Sequence, residues 1–406
     1  MAVTDGSIGR VCPQTSGNWT VISQEFYPQY LTGQIFDYDA AEAALPSTPP
    51  AVSYDPRTTE DCLFLDVLTP KSVFDKNATR LPVLVYIYGG GYSSGEKTGY
   101  GKFDPAGLFS VSVSEGNADP GFVWVAMNYR MGAFGFLADT IDNATDITPN
   151  AGLYDQRLAL QWVQKNIHLF GGDKNRVTVM GASAGAGSIM HHITSHGGQG
   201  EGPYFQQAVL FSPAFLPAPT MDIPLEASRD FLSMLNVSSI AEARRLPSET
   251  LIDTNALQIY SHAPYGSNMY GPYVDGDFVP ALPGQALLDR SFHSSIKVMV
   301  SHNALEGLLF TSPEANTSSA YVDQLETSFP QISQTSLGTI NDTLYPAVLD
   351  GSYVYTTEFQ RAMATIQDST IVCNPYYIAS ALEEQAYASK SELDPWSKIL
   401  PRQIDF

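Results

Sequence analysis

Basic residues are scarce in this sequence. The chain of 406 residues holds 21 lysines and arginines against 42 aspartates and glutamates, which gives a formal net charge of −21. A nucleic-acid backbone or an anionic membrane surface would repel so acidic a chain, so we expect no nucleic-acid partner and no peripheral membrane binding. The charge indicates a protein that stays soluble in an acidic medium, and steering of a cationic substrate is the second interpretation.

Long apolar runs are also missing. No stretch approaches the roughly 18 residues needed to cross a bilayer, so we expect no transmembrane segment. Residues Met1–Thr20 lack the apolar core of a secretory signal peptide, so no such peptide is predicted in this chain.

Six Asn-X-Ser/Thr sequons nevertheless exceed the roughly 2 or 3 expected by chance and indicate a glycosylated, secreted protein. They begin at Asn18, Asn77, Asn143, Asn236, Asn316 and Asn341.

Cysteine is rare, with only Cys12, Cys62 and Cys373, so at least one of the three has no partner within the chain. Spacing alone does not decide which of them pair.

The glycine-rich segments lack the lysine of a phosphate-binding loop, and no cluster of histidine and cysteine has metal-ligand spacing. We therefore expect neither a cofactor nor a bound metal.

What the chain does contain is a series of short apolar runs without polar alternation. Such runs are typical of strands covered on both faces of a mainly parallel sheet. The runs are Val83–Tyr88, Phe122–Met127, Val177–Met180, Ala208–Phe211 and Ile296–Val300. A helix is predicted over Leu153–Ile167, where apolar residues recur on one helical face. This alternation predicts an α/β fold with the sheet between helix layers.

Two stretches interrupt this alternation. Residues from about 221 to 290 are rich in serine, proline and short helical patterns such as Leu225–Leu235. A second helix-rich stretch covers about 311–365, and its helical pattern extends to about 388. Because no long linker separates them, we interpret residues 1–406 as a single domain with two helical insertions.

The sharpest motif is Gly181-Ala182-Ser183-Ala184-Gly185, which lies between a predicted strand and a predicted helix. A sharp strand-to-helix turn leaves no room for a side chain at the two glycine positions that flank the serine, and such a turn lifts the serine hydroxyl above the sheet. The positive end of the following helix favours an anion that develops at this position. The motif therefore predicts a nucleophilic serine at position 183.

A second glycine-rich segment, Gly89-Gly90-Gly91, ends an early apolar strand. Esterases place backbone N–H donors for a tetrahedral oxyanion on a loop of this kind. Glycines allow the backbone to approach a substrate closely. Together with the Ser183 turn, this segment predicts an oxyanion hole.

The segment Asn150–Ser188 resembles the nucleophile region of the type-B carboxylesterases, the family of the cholinesterases and fungal lipases. Further blocks that resemble this family follow the same order along the chain. They are Glu60–Val67, Asn128–Arg130, Gly132–Phe136 and Gly271–Gly276. The resemblance extends from about Cys12 to Tyr387. It implies the α/β-hydrolase fold, a mostly parallel central sheet with helices on both faces, and a small-molecule ester or lipid substrate.

The resemblance also implies roles for single residues. Ser183 is the expected nucleophile, and the amides of Gly90, Gly91 and Ala184 are the expected oxyanion donors. The acid of the triad corresponds to Glu306, in the block Asn303–Gly307 just after a predicted strand.

The two remaining assignments concern the cysteines and the tyrosines. Cys12 and Cys62 occupy the positions of the family's first disulfide, which leaves Cys373 as a buried free thiol. Four tyrosines are candidates to line an acyl or alcohol pocket, although packing is the default role of each. They are Tyr88, Tyr92, Tyr260 and Tyr265.

The expected triad histidine is missing. None of the seven histidines follows Glu306, and Ser389–Phe406, where the family carries this residue, does not resemble the family block. The chain also starts almost at Cys12, so its terminal strands are expected to be partly missing. Three explanations stand: an incomplete or mis-spliced gene model, a degenerate and catalytically weak protein, or substitution by a resident histidine.

The resident histidines are His168, His191, His192, His196, His262, His293 and His302. His191 and His192 lie about two helical turns beyond Ser183 and are expected to point away from it. His302, four residues before Glu306, is expected to be structural.

Two candidate functions follow from the motifs and the missing histidine. The first is a serine carboxylic-ester hydrolase, and the second is a catalytically impaired or non-catalytic protein that resembles the cholinesterases.

Overall fold

The computed structural model describes residues 9–47, 49, 55–71, 73, 80–99, 104–112, 121–138 and 147–391. Seven strands of these residues form one sheet, ordered β1-β3-β2-β4-β5-β6-β7. β1 pairs antiparallel with β3, and the other neighbours are parallel. The strands are β1 (Leu65–Leu68), β2 (Leu81–Ile87), β3 (Val123–Met127), β4 (Gly172–Ala182), β5 (Gln207–Phe211), β6 (Lys297–Asn303) and β7 (Ala386–Ser391).

All five predicted strands are confirmed, as β2 to β6. Their apolar residues form the core: Val85, Val125 and Val179 are each completely buried. β2 and β3 carry no polar alternation because both of their faces are covered, whereas β5 and β6 leave alternate residues such as Phe211 and Met299 exposed.

The two edge strands, β1 and β7, were not predicted. The prediction that the helical pattern extends to about residue 388 is wrong at its end, because Ala386–Ser391 pairs with β6 as a parallel strand. Its residues are small or polar apart from Tyr387, which is 70% exposed. An edge strand with one open side lacks the apolar run that identifies a central strand.

Fourteen α-helices are found in the described ranges. They are α1 (Trp19–Leu31), α2 (Tyr38–Ala43), α3 (Ala106–Ser112), α4 (Gly132–Phe136), α5 (Ala151–Asn166), α6 (Ala184–Thr194), α7 (Asp222–Met234), α8 (Ile240–Ala243), α9 (Ser248–His262), α10 (Pro283–Leu288), α11 (Ser318–Ser328), α12 (Gln334–Thr339), α13 (Glu358–Gln367) and α14 (Cys373–Leu382). Single 3₁₀ turns span Ile167–Phe170, Ser195–Gly198, Glu306–Leu309 and Glu383–Gln385. Five-residue π-type turns span Ile340–Leu344 and Asp368–Val372.

Helix α5 is the helix predicted between the second and third apolar runs. Its buried face includes Leu153, Leu160 and Val163. Asp155 on the same helix accepts hydrogen bonds from Arg130 at 2.7 and 2.8 Å, so the segment after β3 is tied to α5 by a bidentate ion pair. The helix is therefore fixed by both apolar packing and a charged contact.

Helices α7 to α10 lie within the first predicted insertion, and α11 to α13 lie within the second or cross its end. The short helical pattern predicted at Leu225–Leu235 corresponds to α7. A single domain with these two insertions remains the interpretation that we prefer. No helix among the described residues combines the length and the hydropathy that a membrane span requires.

The disulfide between Cys12 and Cys62 is present and closes a sequence separation of 50 residues. The side-chain amide of Asn128 donates to the carbonyl oxygen of Cys62 at 3.1 Å, which links the disulfide to the end of β3. Cys373 is free, as the resemblance implies, but it is half-buried and not buried as expected. Burial, with a smaller contribution from nearby Asp368, raises the pKa of its thiol to about 11, so it stays protonated at neutral pH.

Candidate active site

Ser183 lies at the sharp turn between β4 and α6. Its backbone has φ 55° and ψ −128°, a conformation that a residue other than glycine rarely adopts. Three backbone hydrogen bonds hold it there. The Ser183 N–H donates to Phe211 O at 2.9 Å, and Ser183 O accepts from the N–H groups of Gly187 at 2.9 Å and Ala214 at 3.1 Å. Strain of this kind persists only where the surroundings enforce it, and it is common at functional sites.

The two glycines of the motif are required by close packing. A Cβ atom at Gly181 would lie 2.6 Å from the carbonyl carbon of Gly185, and one at Gly185 would lie 2.1 Å from Ile87 O. Both distances are shorter than any real contact of a Cβ atom. A side chain at Gly181 would therefore collide with the first turn of α6, and one at Gly185 would push that turn away from β2.

The loop after β2 lies directly against the serine. A Cβ atom at Gly89 would be 2.9 Å from Ser183 Cβ. Gly90 and Gly91 have φ of 120° and 62°, and Gly90 O accepts from the N–H of Ser94 at 3.0 Å. The loop thus has a fixed conformation that glycine permits.

Three backbone N–H groups at this place have no acceptor among the described residues: those of Gly90, Gly91 and Ala184. Ala184 is the first residue of α6, so its N–H also has no partner within the helix. All three residues and Ser183 line one cavity. This arrangement can donate hydrogen bonds to an oxyanion that forms beside the serine.

Glu306 follows β6 and begins a 3₁₀ turn. Its Oε1 accepts from the Asn303 N–H at 2.7 Å, from the Asn303 side-chain amide at 3.1 Å and from the hydroxyl of Ser212 at 2.5 Å. Glu306 itself is not among the residues that line the cavity. The structure therefore holds this carboxylate firmly at the carboxyl ends of β5 and β6, next to the strand that carries Ser183.

Ser212 was missed by the sequence analysis. It follows β5 directly, has φ 50°, and its N–H donates to Ser301 O at 2.7 Å. Its hydroxyl is, with the Asn303 amide, one of two side-chain groups that donate to Glu306. The one available signal was a serine immediately after the apolar run Ala208–Phe211, which alone does not indicate a contact with Glu306.

The cavity has a volume of about 650 Å³. Its walls are largely apolar and aromatic, with Trp19, Tyr92, Phe136, Phe215, Leu216, Ile223, Met269, Tyr270, Tyr273, Phe310 and Ile371. Among the four candidate tyrosines only Tyr92 lines it. Tyr88 stacks on Tyr129, Tyr260 donates to Pro46 O and Tyr265 packs against Trp19. A cavity of this size and composition suits a small, mainly apolar organic ligand.

Most histidines have contacts elsewhere. Their partners are Gly187 O for His191, Gln156 for His192, Asp277 for His196, Asp230 for His262 and Asn303 O for His302. His168 is exposed and His293 is buried. Only His262 lines the same cavity as Ser183. His191 and His192 are buried and do not line the cavity, as expected from their position along the helix.

Burial sets the charge state of two of these side chains. It lowers the pKa of His191 to about 4 and that of His192 to about 3, so both are neutral at physiological pH. The neutral ring of His191 donates from Nδ1 to Gly187 O at 2.8 Å. Both histidines therefore serve as packing residues of α6.

Acid is expected to destabilise the fold through His191. An unfolded histidine binds a proton near pH 6.5, whereas folded His191 does so only near pH 4, so the unfolded state binds more protons between these values. The contribution of His191 to the free energy of unfolding is therefore complete above about pH 7, and about 2 kcal/mol of it is lost by pH 5. His191→Asn keeps a donor for Gly187 O without a titrating ring. Urea unfolding at pH 8 and pH 5 should show a smaller decrease in the free energy of unfolding for this variant than for the wild-type chain.

The exposed His168 provides the control for this measurement. His168→Asn removes one histidine without removing a buried one, and the pH dependence of the wild-type chain should remain. An equal fall in stability for the His191→Asn variant and the wild-type chain contradicts the prediction.

The sequons lie in different environments. Asn236 and Asn316 are exposed, whereas Asn18 and Asn341 are half-buried. The side-chain oxygen of Asn341 accepts from buried Arg361 at 2.7 Å. The remaining two, Asn77 and Asn143, lie outside the described residues. No group of three or more His, Cys, Asp or Glu side chains within the described ranges could hold a metal ion.

Comparison with known proteins gives a consistent result. The model of the carboxylesterase family matches residues 9–390. A carboxylesterase patB of Aspergillus clavatus is 38% identical over 97% of this chain and 71% of its own length. A secreted lipase of Arthroderma benhamiae is 31% identical over 79% of this chain and 57% of its own length. The crystal structure of Aspergillus niger EstA superposes with a TM-score of 0.70 at 25% identity, covering 94% of this chain and 66% of that one. The predicted α/β-hydrolase fold is thereby confirmed.

Proposed function

Because the chain belongs to the carboxylesterase family, a family of carboxylic ester hydrolases, we propose that it cleaves esters through an acyl-enzyme on Ser183. One observation carries the proposal. Ser183 sits at a strained turn in the same cavity as three N–H groups that lack an acceptor among the described residues. A serine and convergent amide donors are the parts that acyl transfer requires.

In this mechanism Ser183 Oγ attacks the ester carbonyl carbon, and the carbonyl oxygen becomes an oxyanion. The N–H groups of Gly90, Gly91 and Ala184 donate to that oxygen. The bond to the alcohol oxygen then breaks, and the proton lost by the serine ends on the departing alcohol. Water attacks the acyl-enzyme in the same way and releases the acid. Glu306 is proposed to orient the base that moves these protons.

The base itself raises the second candidate function. None of the histidines follows Glu306 in the sequence, and those at α6 are buried against other partners. A serine triad without its histidine loses on the order of 10⁶ in kcat. A protein that binds esters in this cavity but turns them over very slowly, or not at all, is therefore the alternative.

A fluorophosphonate probe tests the two functions against each other. If Ser183 is activated, the probe should label the wild-type chain at that residue, and Ser183→Ala should abolish the labelling. Ser16 lines the same cavity but is not part of the Ser183 turn, so Ser16→Ala is the matched control and should label as the wild type does. An unlabelled wild-type chain with a cooperative unfolding transition supports the non-catalytic alternative.

We further propose that the protein is secreted and glycosylated. The excess of sequons and the Cys12–Cys62 disulfide support this location, because disulfides persist in oxidising compartments. Asn236 and Asn316 are the most accessible acceptors among the described residues, whereas the contact of Asn341 with Arg361 makes that sequon less available. The substrate is proposed to be a small-molecule ester or a lipid.

A further inference from the structure

The cavity that holds Ser183 has few acidic or basic side chains on its walls. Apart from tyrosines, those found among the described residues are Glu226, Asp230 and His262, and neither lysine nor arginine is present. A ligand carboxylate or phosphate would therefore meet no fixed positive partner. The protein as a whole is also strongly acidic. These charges disfavour an anionic ligand in the cavity.

Asp230 and His262 form a pair between the two longest helices of the first insertion. His262 is the last residue of α9, and its Nδ1 lies 2.8 Å from Oδ2 of Asp230 on α7. The side chain of His262 is 45% exposed and that of Asp230 is 35% exposed, so a ligand in the cavity can contact both. A carboxylate at this distance fixes Nδ1 as the protonated nitrogen of the neutral ring.

A buried network holds this pair in place. The side-chain amide of Gln258, which is completely buried, donates to Oδ2 of Asp230 at 2.9 Å and to Ala227 O at 2.8 Å. The hydroxyl of Tyr270 donates to the Gln258 side-chain oxygen at 2.7 Å. The orientation of Asp230 is thus set by two side chains of α9, Gln258 and His262, with Tyr270 of the following loop holding Gln258, which is how proteins build a binding group of fixed geometry.

The remaining hydrogen-bonding capacity of the pair is that of an acceptor. With Nδ1–H directed to Asp230, Nε2 of the His262 ring has no partner among the described residues, and in the neutral form of the ring it carries a lone pair. Oδ1 of Asp230 is likewise without a partner there. Glu226 lies one helical turn before Asp230 and lines the same cavity. This wall of an otherwise apolar cavity therefore offers acceptors to a ligand that brings a donor.

We propose that His262 and Asp230 form a subsite that accepts a hydrogen bond from a hydroxyl group of the ligand. The preferred ligand is then an ester without a negative charge whose alcohol or acyl chain carries a hydroxyl group, rather than a purely aliphatic ester. A hydroxyl that enters this cavity loses its bonds to water, and the pair compensates for that loss. The inference rests on the proposed function only in taking the cavity as the place where the ester binds.

Binding of two matched amides to the Ser183→Ala variant tests the subsite without any need for turnover. N-(5-hydroxypentyl)acetamide and N-pentylacetamide differ by one hydroxyl and resemble an ester that cannot be cleaved. We expect the hydroxylated amide to bind about tenfold more tightly by calorimetric titration, the effect of one hydrogen bond to a partly charged pair. Equal affinity for the two amides overturns the proposal.

Variants of the pair locate the preference. In the Ser183→Ala background, His262→Phe should bring the ratio of the two dissociation constants to about one, and Asp230→Asn should reduce it. Ser16→Ala, a change elsewhere on the cavity wall, should leave the ratio intact. A preference that survives His262→Phe in a cooperatively folded variant contradicts the proposal. Since no labelling or hydrolysis is measured, failure of the serine chemistry leaves this test interpretable.

Discussion

Replacing Gly90 with alanine is expected to slow the labelling of Ser183 by a fluorophosphonate about 10²- to 10³-fold, the range found when one oxyanion donor is lost. Gly90 has φ 120°, which residues with a side chain rarely adopt. A Cβ atom there would lie 2.0 Å from Ser94 O, an oxygen of the backbone that has little freedom to move. The loop must therefore shift, and the N–H groups of Gly90 and Gly91 shift with it.

The measurement is the second-order rate constant of labelling, taken from its dependence on probe concentration. Gly351→Ala is the matched control, because Gly351 also has positive φ (89°) but a Cβ atom there would meet nothing within 4 Å. That variant carries a similar backbone strain without touching the site and should label at nearly the wild-type rate. If the Gly90→Ala variant unfolds cooperatively and labels as fast as wild type, the loop after β2 does not supply the oxyanion donors.

The central strands could be predicted from the sequence because burial on both faces leaves a direct pattern. Val123–Met127, for instance, is buried at every position, so its apolar run is uninterrupted. The edge strand Leu65–Leu68 is short, half-exposed and contains Asp66, and its residues gave no such pattern. An edge strand is defined by its pairing with a distant segment, which the local sequence does not encode.

The turn at Ser183 was predictable for a similar reason. The glycines at 181 and 185 are required by contacts that any side chain would violate, so the local sequence carries the constraint. The contacts of Glu306 and Asp230 were not predictable in this way. Ser212 and Glu306 are 94 residues apart, and Asp230 and His262 are 32 apart. Such pairs form through the packing of separate elements. The presence of a serine or a histidine in the sequence does not indicate which distant residue it will contact.

Added imidazole is expected to raise Ser183-dependent ester hydrolysis by the 406-residue chain about 10²- to 10⁴-fold, the usual contribution of a general base. The hydroxyl of Ser183 is a weak nucleophile until a base takes its proton. The N–H groups of Gly90, Gly91 and Ala184 lack an acceptor among the described residues, as the proposed oxyanion hole requires, but no histidine follows Glu306. His262 lines the cavity, but no hydrogen bond between its ring and Ser183 is found in the described part of the chain. An imidazole molecule is small compared with a cavity of about 650 Å³ and can reach the serine from solvent.

Release of nitrophenol from p-nitrophenyl butyrate measures the effect at a pH of about 8, where imidazole is mostly neutral. Imidazole cleaves activated esters by itself, so Ser183→Ala at the same imidazole concentration gives the background. Only the rate of nitrophenol release in excess of the rate of this variant measures hydrolysis through Ser183. Glu306→Gln keeps the shape of the side chain and its acceptor oxygen for Ser212 and Asn303 but removes the charge. If Glu306 orients the base, the excess should be smaller in this variant.

Each result assigns the chemistry to a different part of the site. An excess that requires both Ser183 and Glu306 means that the nucleophile, the oxyanion donors and the acid are functional and that the base alone is missing from this chain. An excess that requires only Ser183 leaves Glu306 as a structural carboxylate that holds the ends of β5 and β6 together. Equal rates for the wild-type chain and Ser183→Ala show that the strained turn does not activate its serine. Binding in the cavity would then be the remaining function of the site.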